Sequence, residues 1–244
     1  MAAMKFQITL RTRLVILVLA AIVPLFGLSI FKAVYNADTA VERAMTDLQF
    51  AASLAASNQQ QLAEMARQVL TAVVHAPELL SEESGKTVKG GRGGRCDAYL
   101  AELNRLFPLY ANLGIVGADG RVLCNGIPNS TLNYLGDRAY FREAVARRDF
   151  VTGEYIVGRA TGIPSISFAL PLLDKDGRVV VVAYASVDLE EMAKLALNIQ
   201  LPPGAALGIH DRNGVLLAGK PALPIRVGQR AASPVLREAV KGMR

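Results

Sequence analysis

The 244-residue sequence has no tryptophan, two cysteines and two histidines. His75 and His210 stand far apart, and Cys96 and Cys124 form no CxxC pair, so the repeated ligand spacings of a zinc site are missing. HExxH and GxSxG are absent as well, and neither histidine has a recurring Ser, Cys or carboxylate spacing around it. The chain as given is therefore read as no enzyme, with no metal and no cofactor. Gly85-Lys86-Thr87 spells the end of a phosphate loop, but Leu80 stands where that loop needs a glycine and no strand precedes it. Asn129-Ser130-Thr131 matches a glycosylation sequon, a pattern common by chance, and is assigned nothing. A basic folded face is missing too. Of the net +6, residues 1–32 hold Lys5, Arg11, Arg13 and Lys32 without an acid, and 86–95 hold Lys86, Lys89, Arg92 and Arg95; the rest is net acidic. A nucleic-acid reader would carry its charge on folded structure, so nucleic acid is excluded as a partner.

What the sequence does have is apolar content, 52% of all residues, which rules out a disordered chain. Leu14–Phe31 is an 18-residue run without a charge, about 27 Å of helix and enough for a bilayer core. We read it as a retained transmembrane helix rather than a cleaved signal, because it is long and no small-x-small site follows closely. Lys5, Arg11 and Arg13 before the run outnumber Lys32 after it, so residues 1–13 are expected in the cytoplasm, 14–31 in the plasma membrane and residues after about 33 outside. In that compartment Cys96 and Cys124 form a disulfide or remain two separately buried thiols.

Val41, Met45, Leu48, Ala52, Ala55, Gln59, Leu62, Ala66, Val69 and Val73 follow an unbroken 4-3 spacing. This predicts a long helix over 35–76, ended by Pro77, whose stripe suits either a parallel homodimer seam or, through Ala52, Ala55, Ala56 and Ala66, close packing on a sheet. Pro77 to Arg95 reads as a polar, glycine-rich loop. Beyond it come a helix at 96–107, strands at 112–116 and 121–124 around Ala118-Asp119-Gly120, a helix at 137–147, and strands at 150–156, 165–170 and 178–187. The expected class is α+β: five antiparallel strands, one helix inserted after the second, and the long helix over one face.

The chain also repeats itself. Leu113-Gly114-Ile115 with Gly120 returns 94 positions later as Leu207-Gly208-Ile209 with Gly214, and Val122, Leu123 and Gly126 return after 93 as Val215, Leu216 and Gly219. Arg142-Glu143-Ala144-Val145 returns as Arg237-Glu238-Ala239-Val240 after 95. Two agreeing shifts argue for duplicated units, at 77–200 and from 201 to 244, the second unfinished. The portion from Ala206 is expected to be poorly packed without the missing strands.

Asp137-Arg138-Ala139-Tyr140-Phe141-Arg142-Glu143-Ala144, Phe150-Val151-Thr152-Gly153-Glu154-Tyr155-Ile156-Val157-Gly158-Arg159, and Asp176-Gly177-Arg178-Val179-Val180 through Asp188-Leu189 resemble the membrane-distal unit of double Cache domains. These are PAS-like extracytoplasmic sensors of bacterial sensor histidine kinases, diguanylate cyclases and chemoreceptors. The resemblance implies a Cache unit at 77–200, the start of a truncated second unit at 201–244, and a Cys96–Cys124 disulfide. It also implies a pocket on the sheet face opposite the long helix, roofed by Ile127–Arg148. Alternation in the last strand agrees, setting Val179, Val181, Ala183, Ala185 and Val187 on one face and Tyr184, Ser186 and Asp188 on the other.

The ligand-binding candidates are Arg138, whose guanidinium fork fits a carboxylate, Tyr140, Phe141, Tyr155, Tyr184, and Asp188 for an ammonium group. Arg138, Tyr155 and Asp188 match the amino-acid-binding subset, but Tyr140 and Phe141 replace its Trp-Tyr pair, and Arg-x-Tyr-Phe is similar to dicarboxylate-sensing kinases. The expected partner is a small organic acid or an amino acid. Two bland readings stand beside these: Arg138 caps a helix or pairs with Asp137 or Glu143, and Asp188 is the N-cap of a helix at 189–197. A ligand-free dimerisation or partner-protein-sensing module is the alternative function.

Overall fold

The 4-3 stripe of the N-terminal half becomes one helix, α1, Leu10–Val74, closed by bonds from the His75 and Ala76 amides back to the Thr71 and Val73 carbonyls. The computed structural model describes residues 10–76, 80–81, 87–88, 94–196, 198–221, 223 and 225–230. Between 10 and 41 it describes the side chains of 11, 19, 22–24 and 26–27 only. Pro77, Gly85-Lys86 and the Arg237–Val240 repeat lie outside the described residues, as does most of the expected loop, within which β1 (Leu80–Ser81) pairs with β2 (Thr87–Val88).

The chain divides into two units, Met1–Phe50 and Ala51–Arg244. In the first, Leu19, Ile22, Val23, Phe26, Met45, Leu48 and Phe50 are exposed. Among the described residues no helix is long and apolar enough to cross a membrane; most side chains of 14–31 are outside those residues.

The second unit holds α2 (Arg95–Leu106), β3 (Tyr110–Gly117), β4 (Val122–Asn125), α3 (Ala139–Arg147), β5 (Val151–Val157), β6 (Pro164–Leu173), β7 (Val179–Asp188), α4 (Leu189–Ala196), β8 (Leu207–His210) and β9 (Leu216–Lys220). Strands β3 to β7 form one antiparallel sheet in the order β4-β3-β7-β6-β5. One face packs on α1 and α2: Leu62, Ala66, Leu70, Val73 and Val74 meet Leu113, Ile115, Phe168, Val181, Ala183, Ala185 and Val187. Each fully buried aliphatic side chain contributes about 1.5–3 kcal/mol, so this face dominates the stability of the unit. The stripe is narrower than its spacing predicts, since Ala55 and Ala66 are buried while Ala52 and Ala56 are exposed. Val179 also changes face. A register shift between Leu172 and Leu173 carries it to the opposite cluster, with Val182 and Tyr184.

Cys96 and Cys124 form a disulfide, with both side chains fully buried and their Cα atoms 5.9 Å apart. It ties the first turn of α2 to β4, where the Asp97 carboxylate also accepts from the Asn125 amide at 2.9 Å. Breaking the pair by Cys96→Ser with Cys124→Ser is expected to lower unfolding stability by about 3.5 kcal/mol from loop closure over 28 residues of separation. Chemical denaturation read by circular dichroism checks this.

The hairpin β8–β9 repeats β3–β4 bond by bond. Gly114 and Ile115 pair with Asn125 and Cys124, and Gly208 and Ile209 with Gly219 and Ala218; the register slips after Ile115 in one and after Ile209 in the other. The positive φ falls on Gly120 and Gly214, again 94 apart, where a side chain would be strained. Contrary to the expected poor packing from Ala206, Ile209, Leu216, Leu217 and Ala218 are buried, and Ile209, Leu217 and Ala218 join the main core.

Candidate functional site

The other face of the sheet carries α3 and the segment before it, with Tyr140, Phe141 and Ala144 packed on Val116, Val151, Ala169, Val182 and Tyr184. Two glycines shape this face. A Cβ at Gly153 would stand 2.6 Å from the Ser167 carbonyl and 3.0 Å from Tyr140 Cβ, so its absence lets α3 sit close. Gly114 lies opposite Tyr184 in the ladder, and the Tyr184 phenol occupies the space a Cβ there would take.

Between them lies a small cavity lined by Asn112, Leu132, Leu135, Arg138, Tyr140, Ile156, Tyr184, Ser186 and the 158–161 loop. Asn112 and Ser186 of its floor belong to a polar row across three strands, in which Asn112 pairs with Ser186, and Ser186 with Ser167 behind it, in the β3–β7–β6 register. The two serine hydroxyls are 2.9 Å apart, and Asn112 Nδ2 donates to the Tyr184 hydroxyl at 3.0 Å. Asn112 Oδ1 is buried without a partner. The phenols of Tyr140 and Tyr184 are both pushed well up, chiefly by burial, so they stay neutral donors at physiological pH.

Two arginines face the row. Arg138 precedes α3 in an extended conformation with no side-chain capping bond. It donates from Nη2 to the Val157 carbonyl at 3.2 Å, while its Nε is buried without a partner. The acids named as its alternatives are engaged elsewhere: Asp137 by Arg159, and Glu143 by Arg147 and Arg212. Arg159, on the loop at the mouth, grips Asp137 through two bonds of 2.8 and 2.5 Å. That bond is the main reason the Asp137 carboxyl falls to about 2. A carboxyl depressed in the folded state stabilises above the unfolded carboxylate range and loses this as pH falls through its folded value. The lip should therefore stay pinned from neutral pH to about 4 and release only near pH 2. Titrating the Asp137 carboxyl carbon by NMR measures it; a midpoint above 4 would contradict the pair.

The structure brings together Arg138, Tyr140 and Tyr184 from the candidate set and places three others elsewhere. Phe141 is buried in the apolar cluster beneath α3 rather than on the cavity. Tyr155 packs with the α1 face, because the register slips by one residue between Thr152 and Tyr155 and puts Ile156 on the cavity instead. Asp188 accepts the Glu190 amide at 2.7 Å at the start of α4 and does not line the cavity, which fits the N-cap reading. Asn112 and Arg159 line it without having been nominated, as does Ser186, which the alternation sets on the pocket face without a role. Ser186 was legible from its alternation with Tyr184, and Asn112 as the polar residue of an apolar strand.

The cavity is only about 20 Å³, room for roughly one water molecule. A larger groove of about 460 Å³ runs between α1, the end of α2 and α4, lined by Met65, Val69, Leu106, Phe107 and Tyr110. Its lining is mostly apolar, its Lys194 is spent on Glu191 at 2.7 Å, and its Gln68 bonds Glu64 on its own helix. Size favours the groove, but chemistry favours the small cavity. Among the described residues no group of His, Cys, Asp or Glu is placed to hold a metal ion.

No family model and no curated protein matches the chain. Solved structures do. The extracellular domain of rpHK1S-Z16, named as a histidine kinase, superposes with TM-score 0.60 at 19% identity, covering 83% of this chain and 80% of that one. The fold is Cache-like. The ligand-binding domain of the Campylobacter jejuni chemoreceptor Tlp3 in complex with L-valine gives 0.59 at 15% identity over 85% and 81%. The V. cholerae histidine kinase DctB sensor domain gives 0.53 at 13% over 84% and 76%. The Cache-like architecture thus answers to the resemblance read from residues 137–189.

Proposed function

We propose that the chain is the extracytoplasmic sensing part of a membrane receptor, and that its ligand is a small carboxylate held by Arg138. What carries the reading is the unpartnered, buried Nε of Arg138 beside neutral phenols, in a cavity whose lining includes two arginines and no acid. Such a lining favours an anion over a zwitterion, since no carboxylate faces in for an ammonium group. Support for sensing comes from the comparisons, whose proteins include a chemoreceptor ligand-binding domain solved with L-valine, a histidine kinase sensor domain and the extracellular domain of a protein named as a histidine kinase. The span at 14–31, with the second unit outside the cytoplasm, belongs to the same proposal. So does a homodimer along α1, for which exposed Met45 and Leu48 offer an apolar seam.

One observation favours the second reading. A cavity of about 20 Å³ is filled by its own side chains, as a ligand-free dimerisation or partner-sensing module would have it. Under the first reading, binding requires the walls of the cavity, α3 and β5 among them, to move outward. Isothermal titration of the full chain in mild detergent, with succinate, malonate, L-valine and L-alanine, separates the two. Heat of binding for a dicarboxylate supports the carboxylate sensor, and heat for an amino acid alone moves the ligand class. Silence from all four probes supports the ligand-free module.

A further inference from the structure

The two hairpins share register, turn glycine and turn bonds at a shift of 94, so the places where they differ are informative. Gly117 and Ala118 of the first correspond to Asp211 and Arg212 of the second. Asp211 Oδ1 accepts from the Asn213 and Val215 amides, both at 2.9 Å, ordinary turn chemistry that Asp174 repeats with Asp176 and Arg178. Its second oxygen does something the turn does not need. Asp211, only 7% exposed, accepts the Tyr155 amide of β5 on Oδ2 at 3.0 Å. Arg212 then donates to Glu143 of α3 at 3.0 and 2.6 Å and to Glu154 of β5 at 3.1 Å.

Both elements gripped in this way are walls of the cavity. Glu143 follows Tyr140 by three residues, on the same side of α3. Tyr155 sits at the register slip of β5 and precedes Ile156, a lining residue, while Val157 takes the bond from Arg138. We propose that Asp211 and Arg212 make the β8–β9 turn a latch on the cavity wall. Displacing α3 or β5 far enough to admit an occupant breaks bonds to the turn, so opening the cavity and undocking the turn are one linked equilibrium. Linkage is reciprocal: what loosens the turn loosens the wall, and the converse. The latch concerns the wall alone and holds whether the occupant is a carboxylate or nothing.

Peptide-level hydrogen exchange of the full chain, without added ligand, tests it from both sides. Arg212→Ala should speed exchange at least severalfold in 139–147 and 154–158, with Arg212→Lys intermediate and α2 unchanged. Glu143→Gln, placed on the cavity side, should speed exchange in 211–216. Acceleration that stays on the mutated side of the contact overturns the latch. So does an equal rise everywhere, α2 included, because Arg212 would then be a general stability determinant.

Discussion

Replacing Arg138 with alanine is expected to weaken binding of a dicarboxylate probe at least a hundredfold while leaving the thermal midpoint nearly unchanged. Truncating one partner of a desolvated, hydrogen-bonded charge pair costs about 2–5 kcal/mol, and a hundredfold is about 2.7 kcal/mol of that range. The fold depends little on this side chain, which is half-buried and gives one bond to the Val157 carbonyl. Arg138→Lys should recover only part of the affinity, because it keeps the charge and loses the planar fork. Calorimetric titration beside a melting curve decides: equal affinity in wild type and Arg138→Ala would remove Arg138 from the site.

The second large effect comes from a residue with no side chain. Gly114→Ala places a methyl group where the Tyr184 ring lies, with its Cζ and hydroxyl 2.6 Å away. Tyr184 is 2% exposed and bonded to Asn112, so it cannot swing aside freely. Overpacking of this kind costs about 1–3 kcal/mol, and here it also disturbs the polar row that floors the cavity. A drop in denaturation midpoint together with loss of probe binding is expected, and Gly114→Val should be worse. An alanine variant as stable as wild type would mean that the phenol has another resting place.

The reading of the sequence succeeded where a single period governs. The five strands and two of the helices of the second unit follow from alternation, from 3.6-residue spacing and from turn glycines, with ends within a few residues. The repeat was legible because Gly120 and Gly214 are each required by a turn with positive φ. What failed was parity across a register slip. Tyr155, nominated from the resemblance, is turned off the cavity by one extra residue after Thr152. The same kind of slip moved Val179. No local propensity announces such a bulge. Asp188 illustrates another limit, since a carboxylate at a strand end serves a ligand or the next helix equally well on paper, and only the Glu190 amide distinguishes them. Asp211 and Arg212 drew no reading from the sequence, because their partners are more than fifty positions away.

The two walls of the second unit are fastened by different kinds of bond. On the α2 side a covalent link closes β4 to the helix; on the α3 side the fastening is ionic, through Arg212, Glu143, Glu154, Arg159 and Asp137. Dissolved ions weaken partly exposed ion pairs and leave a covalent bond untouched. Of these two fastenings, only the one on the α3 side is expected to weaken as salt rises. The ease with which the cavity wall on the α3 side loosens is therefore expected to rise with ionic strength, as those ion pairs are screened.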